Sequence, residues 1–172
     1  MAFIDQGVNI TTVDSSATFP LGTEIDDPRG NSTSGGPRGS NRFRYVKAGS
    51  AISAGNALVV SLADADEPNT LVPCSAVNQV TVAVAEVAIA SGSYGWVQVK
   101  GRHAGAVNLG TISAGNKLTT SGTAGAFTTV AEADSNVTST KLNAAIAMAA
   151  GIGVMALDSN DSNAAVIEVL IN

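Results

Sequence analysis

The heptapeptide Ile52-Ser53-Ala54-Gly55-Asn56-Ala57-Leu58 returns as Ile112-Ser113-Ala114-Gly115-Asn116-Lys117-Leu118, six of seven residues identical at an offset of 60. Ala-Gly-Asn supplies the positive-φ position of a tight turn, so the flanking Ile and Leu can both point into a core. Further on, an offset of 70 aligns Val82, Val84 and Val87 with Ile152, Val154 and Leu157. The same offset aligns Val97-Gln98-Val99 with Ile167-Glu168-Val169. The second copy therefore gains ten residues between Leu118 and Ile152, where an Ala-rich stretch sits. An internal repeat of this period marks one structural unit used twice. Neither unit buries its apolar face alone, so the two are expected to share one core as a small pseudo-symmetric barrel or sandwich.

The strands around the repeat follow a period of two. Arg42-Phe43-Arg44-Tyr45-Val46 places arginines on one face and rings on the other. Val80 to Val87 is β-branched at every second position, and Gly95-Trp96-Val97-Gln98-Val99-Lys100 turns Val97 and Val99 inward if Gln98 and Lys100 face water. Val166-Ile167-Glu168-Val169-Leu170-Ile171 repeats that shape. Gly, Asn, Ser and Thr clusters separate the runs, as an all-β barrel or sandwich requires. One short helix is expected around Lys141–Ala150.

Charge divides the chain differently. Residues 1–28 hold five acids and no base, residues 29–47 five bases and no acid, within a net charge of -5 for 172 residues. The stretch 26–41 offers almost nothing to a core and cannot offset its ordering entropy by burial. Four of the seven aromatics nevertheless lie in the first 45 residues: Phe3, Phe19, Phe43 and Tyr45. These features predict an extended arm over 1–41 that orders against another protein, followed by a β domain over 42–172 with modules at about 42–105 and 106–172. The candidate arm contacts are Phe3, Phe19, Arg29, Arg38, Arg42 and Arg44. Tyr94 and Trp96 are the candidate oligomer or core anchors.

Chemistry is sparse. One Cys and one His exclude an internal disulfide and a four-ligand zinc site. His103, in Lys100-Gly101-Arg102-His103, lacks a Gly-x-Ser-x-Gly partner motif and reads as a solvent or interface histidine rather than a general base. Cys74 reads as a buried small thiol. Gly151-Ile152-Gly153-Val154-Met155-Ala156 matches a dinucleotide fingerprint, but it falls in an expected strand and not at a helix N-terminus. Asp158-Ser159-Asn160-Asp161 lacks the bidentate Glu of a calcium loop. No cofactor and no metal site is expected. The basic run from Arg29 to Lys47, with interleaved rings, could hold a short single strand, yet net acidity favours bidentate pairing with acidic protein surfaces. Acids at 1–28 and in the body make neighbour-to-neighbour pairing available. The start, Met1 to Gly7, has no basic n-region or apolar core, so no secretory signal is expected. The most apolar window, Leu142 to Leu157, is 16 residues, short of the ~20 a spanning helix needs, so no membrane segment is expected.

An acidic arm, a basic Gly/Pro stretch and a doubled β body resemble the bacteriophage capsid cement, or head decoration, proteins. The resemblance is carried by Ala48-Gly49-Ser50-Ala51-Ile52-Ser53-Ala54-Gly55-Asn56-Ala57-Leu58 and by Tyr94-Gly95-Trp96-Val97-Gln98-Val99-Lys100-Gly101. It covers roughly 45–172 and leaves 1–41 unmatched. It implies a non-enzymatic virion protein with a β-tulip-like barrel or sandwich. Such a protein binds the outer capsid surface as a homotrimer and cements major capsid subunits. The other expectation is a head-fibre or tail-accessory module gripping a host surface or carbohydrate through exposed aromatics, for which Tyr94, Trp96 and Phe127 are available. A hydrolase would need His103 within reach of a Ser or Asp in a cleft.

Overall fold

The computed structural model describes residues 7–27, 41–63, 67–76, 79–129, 154–156 and 166–171. These residues form an all-β protein with no helix among them. In chain order the strands are β1 (Val13–Asp14), β2 (Glu24–Asp27), β3 (Asn41–Ala48), β4 (Ala57–Val60), β5 (Thr70–Pro73), β6 (Ala83–Ala85), β7 (Tyr94–Val107), β8 (Leu118–Thr120), β9 (Phe127–Thr129), β10 (Val154–Ala156) and β11 (Val166–Ile171).

Five strands close a ring. The first half of β7 pairs antiparallel with β3 on one side and β6 on the other. From there β6 pairs with β4, β4 with β5, and β5 runs parallel to β3. The closed circuit leaves no open edge within the ring. Its interior holds Val46, Ile52, Leu58, Leu71, Ala83, Ala85, Ile89 and Val97.

The repeat is structural, and the two modules share β7. Moving β3 by 60 positions lands on 101–108, the second half of β7 and Asn108 just beyond it. That half pairs with β11, Val169 opposite His103 and Ile171 opposite Gly101, as the first half pairs with β3, Trp96 opposite Tyr45. Bonds recur with the residues. Gly49 N–H donates to Leu71 O at 2.9 Å and Leu109 N–H to Phe127 O at 2.8 Å. Ser61 N–H donates to Thr70 O at 2.9 Å and Ser121 N–H to Ala126 O at 2.8 Å. The parallel pair Ala48–Leu71 has its counterpart in Asn108–Phe127. The hairpin β8–β9 thus repeats β4–β5, and β10–β11 repeats β6–β7.

Two expectations are corrected here. The modules have separate, equivalent cores rather than one: Val46, Ile52, Leu58 and Leu71 in the first become Ala106, Ile112, Leu118 and Phe127 in the second. Only the first module's strands are seen to close into a ring, and the second core spreads over Ala57, Val59, Cys74 and Val84 of the first module. The junction lies at about Gly101 rather than 105/106, because one 14-residue strand passes from one module to the other and no linker marks the change. Gly101 sits there at φ +101°, with Asn41 packed against it so closely that no side chain would fit.

Residues 7–27 fold onto their own chain. β2 pairs with β3, and β1 pairs with β7. Ile10 and Ile25 are buried with Phe43, Tyr45 and Trp96, and Val8, Phe19, Leu21 and Tyr94 pack against them. The arm predicted over 1–41 is therefore corrected across 7–27. The rings of Phe43, Tyr45 and Trp96 lie outside the barrel interior and need a cover. Burying an Ile side chain contributes ~1.5–3 kcal/mol, which helps offset the ordering cost of this segment. Phe3, Arg29 and Arg38 lie outside the described residues, as does the helix expected at Lys141–Ala150. Of the Val80–Val87 run, only Ala83–Ala85 is strand.

Candidate functional site

The strongest concentration of charge among the described residues is a ladder across β2 and β3. The register sets Glu24 opposite Arg44 and Asp26 opposite Arg42, with Ile25 and Phe43 alternating onto the buried face. Arg42 grips Asp26 with both Nε (2.8 Å) and Nη2 (3.3 Å). Arg44 donates from Nε (2.9 Å) and Nη2 (2.6 Å) to Glu24 Oε1, and Arg42 Nη1 stands 3.6 Å from Glu24 Oε2. The Arg42 hydrogen bonds hold the Asp26 carboxyl below the usual carboxylate range and raise the guanidinium in turn. Arg42 and Arg44, expected to contact another protein, are thus paired within the chain. The acidic and basic blocks of the sequence are, in this part, the two rails of one ladder.

Behind the ladder lies an aromatic cluster. Phe19 meets Tyr45 and Trp96 edge-on at centroid distances of 5.3 and 5.2 Å, and Tyr94 stacks on Tyr45 at 6.3 Å. Tyr45 OH donates to Asp14 Oδ2 at 2.5 Å and accepts from the Thr18 N–H at 3.2 Å. Burial, with the Asp14 bond second, raises the phenol pKa. Trp96 is 1% exposed and Phe127 fully buried, while Tyr94 is half-buried. Trp96 is therefore covered by its own chain, and the three aromatics form no exposed cluster.

The second site was not legible as a pair. His103 is 5% exposed, not the solvent or interface histidine expected. Its Nδ1 accepts from the Gly105 N–H at 3.1 Å, which assigns the proton to Nε2. That nitrogen lies 3.7 Å from Glu86 Oε1. Burial pushes His103 down to about 4 and Glu86 up to about 7. At neutral pH the imidazole is uncharged, so the contact is not an ion pair. His103 takes the position of Phe43 in the repeat, which is the signal that foretells its burial. Gln98, expected to face water, is buried and donates from Nε2 to the Lys100 and Arg102 carbonyls (3.0 and 3.1 Å), bracketing the Gly101 junction. Cys74 is buried, its thiol raised chiefly by burial.

No family model, no curated protein and no solved structure matches this chain.

Proposed function

We propose that this chain is a virion structural protein that decorates the outer surface of an assembled phage head and cements adjacent major capsid subunits, associating with itself as a homotrimer. One observation carries the reading. The two stretches that resemble the decoration family, Ala48–Leu58 and Tyr94–Gly101, are neighbours in the first barrel. Ala48 N–H donates to Ser93 O at 2.9 Å and Gly92 N–H to Ala48 O at 2.7 Å, so the start of the first stretch is bonded to the turn that leads into the second. The likeness therefore concerns a connected part of one fold.

The route of attachment differs from a simple arm clamp. The apolar side chains of 7–27 cover their own barrel, so they are not the anchors that reach the shell. The adhesive alternative asks for exposed aromatics on the body, and burial of Trp96 and Phe127 weighs against it. The test is sedimentation of the full chain with undecorated heads of the phage that carries this gene. Saturable co-pelleting is the expected result. Protein that stays in the supernatant at saturating heads, while binding a glycan array, overturns the reading in favour of the adhesive one.

A further inference from the structure

The two modules meet at an irregular point in β7. Arg42 stands opposite Lys100 and Phe43 opposite Gln98, so β7 carries one extra residue at Val99, a bulge. Two positions on, Gly101 has φ +101° and abuts the Asn41 side chain, which leaves no room for a Cβ. Two buried amides hold this point. Gln98 is fully buried, and its Nε2 donates to the Lys100 carbonyl at 3.0 Å and the Arg102 carbonyl at 3.1 Å. Asn41, 3% exposed, accepts the Arg102 N–H through Oδ1 at 3.1 Å. Both amides belong to the first module and both reach past Gly101 to Arg102. Gln98 Oε1 is buried and makes no hydrogen bond, so this side chain bears the cost of an unpaired acceptor while its Nε2 spans the bend.

The bodies on either side of Gly101 depend on each other unequally. The first ring closes through pairings that use no residue beyond Lys100, and its interior is filled by residues no later than Val99. The second core is instead finished by the small first-module side chains Ala57, Val59, Cys74 and Val84. The described chain crosses between the modules once, at Gly101. Further ties run from Val107 N–H to Gly55 O at 2.9 Å and from Ala57 N–H to Gly125 O at 2.8 Å. Cys74 lies fully buried in this wall. Its carbonyl accepts from the Gly125 N–H at 2.8 Å, and its thiol donates to the Ala126 carbonyl at 3.6 Å. Gly125 and Ala126 belong to the second module, so moving that module away uncovers the sulfur.

We propose that Gly101 is a hinge and that the side-chain amides of Gln98 and Asn41 are its clamp, so that the second module opens from the first as a unit while the first barrel stays closed. Proteins open in cooperative units at less cost than global unfolding, and a hinge is a short segment that absorbs the backbone change. Glycine suits that role because it takes either sign of φ at little cost. The clamp sets the closed angle by fixing the peptides on both sides of it. The inference concerns motion between the modules and does not rest on capsid binding.

Cys74, the chain's one cysteine, reports opening through its alkylation by N-ethylmaleimide in the full chain under native conditions, with amide exchange followed in parallel. In the unsubstituted chain the amides of Leu109 and Ser121, bonded to the Phe127 and Ala126 carbonyls, should exchange ahead of those of Ile52 and Ile89, which bond each other in the first barrel. Gln98→Met keeps the volume and removes the donor. It should speed Cys74 alkylation and Leu109 and Ser121 exchange roughly 10- to 100-fold, the effect of two lost hydrogen bonds, and leave Ile52 and Ile89 unmoved. The proposal is overturned if all four amides exchange together in the unsubstituted chain, if Gln98→Met leaves alkylation unchanged, or if Ile52 and Ile89 accelerate equally. Should Gln98→Met not fold, the order of exchange in the unsubstituted chain decides alone.

Discussion

Replacing Gly55 and Gly115 separately with Ala measures how one turn sequence differs in two settings. Both residues sit at positive φ, where a Cβ costs ~1–2 kcal/mol. At Gly115 the new methyl meets nothing within 4 Å among the described residues, so the backbone cost of about 1 kcal/mol is the expected effect. At Gly55 the methyl meets the Gly105 carbonyl and lies 3.1 Å from Val107 Cγ2, which forces the junction between modules to shift. Overpacking of this kind adds ~1–3 kcal/mol, for a total of about 2–4 kcal/mol. For a chain of this length, 1 kcal/mol moves Tm by ~2–4 °C. Scanning calorimetry should therefore show a drop of about 3 °C for Gly115→Ala and roughly 6–12 °C for Gly55→Ala. Equal drops would refute the contrast between a first turn wedged against Gly105 and a second that meets no such contact among the described residues.

Other outcomes follow from the same contacts. Ile25→Ala should destabilise the chain by about 2–3 kcal/mol in urea; an effect near zero would return 7–27 to the status of an arm. Glu86, raised to about 7 from 4.5, is stabilising in its neutral form below pH 4.5, and that contribution is lost as pH rises through 7. His103, lowered to about 4 from 6.5, stabilises above pH 6.5 and loses its contribution as pH falls through 4. The two slopes oppose each other in the native chain, so Glu86→Gln should gain about 2 kcal/mol relative to it between pH 4.5 and 7, whereas a pH-independent difference would contradict the burial of the Glu86 carboxyl. A double-mutant cycle on Glu24 and Arg44 should give a coupling of only ~0.2–1 kcal/mol, fading in 1 M salt.

The all-β class and the repeat were readable because both rest on local pattern. The turn heptapeptide needs its glycine, and β3 and β11 show their alternation openly. What escaped reading depends on pairing at a distance. Glu24 and Asp26 look like free acids until the register sets them against Arg44 and Arg42. Phe19 and Ile25 look too sparse for a core until Tyr45 and Trp96 offer a surface that the barrel leaves uncovered. Gln98 breaks the alternation because both faces of β7 are covered over residues 95–98, and its amide satisfies the backbone carbonyls on either side of Gly101. His103 and Glu86 are 17 positions apart in sequence, and only the passage of β7 into the second module brings them together. The shared strand also explains why no composition change marks the boundary between the modules.

Hydrogen exchange on the isolated chain tests most directly whether the leading segment is folded onto its own barrel. The amides of Gly22 and Tyr45, which donate to Tyr45 O and Thr23 O, should exchange about as slowly as those of Ala57 and Val107 at the junction between modules, and far more slowly than an unstructured peptide. Unprotected exchange at Gly22 and Tyr45, alongside protected amides at Ala57 and Val107, would contradict the account.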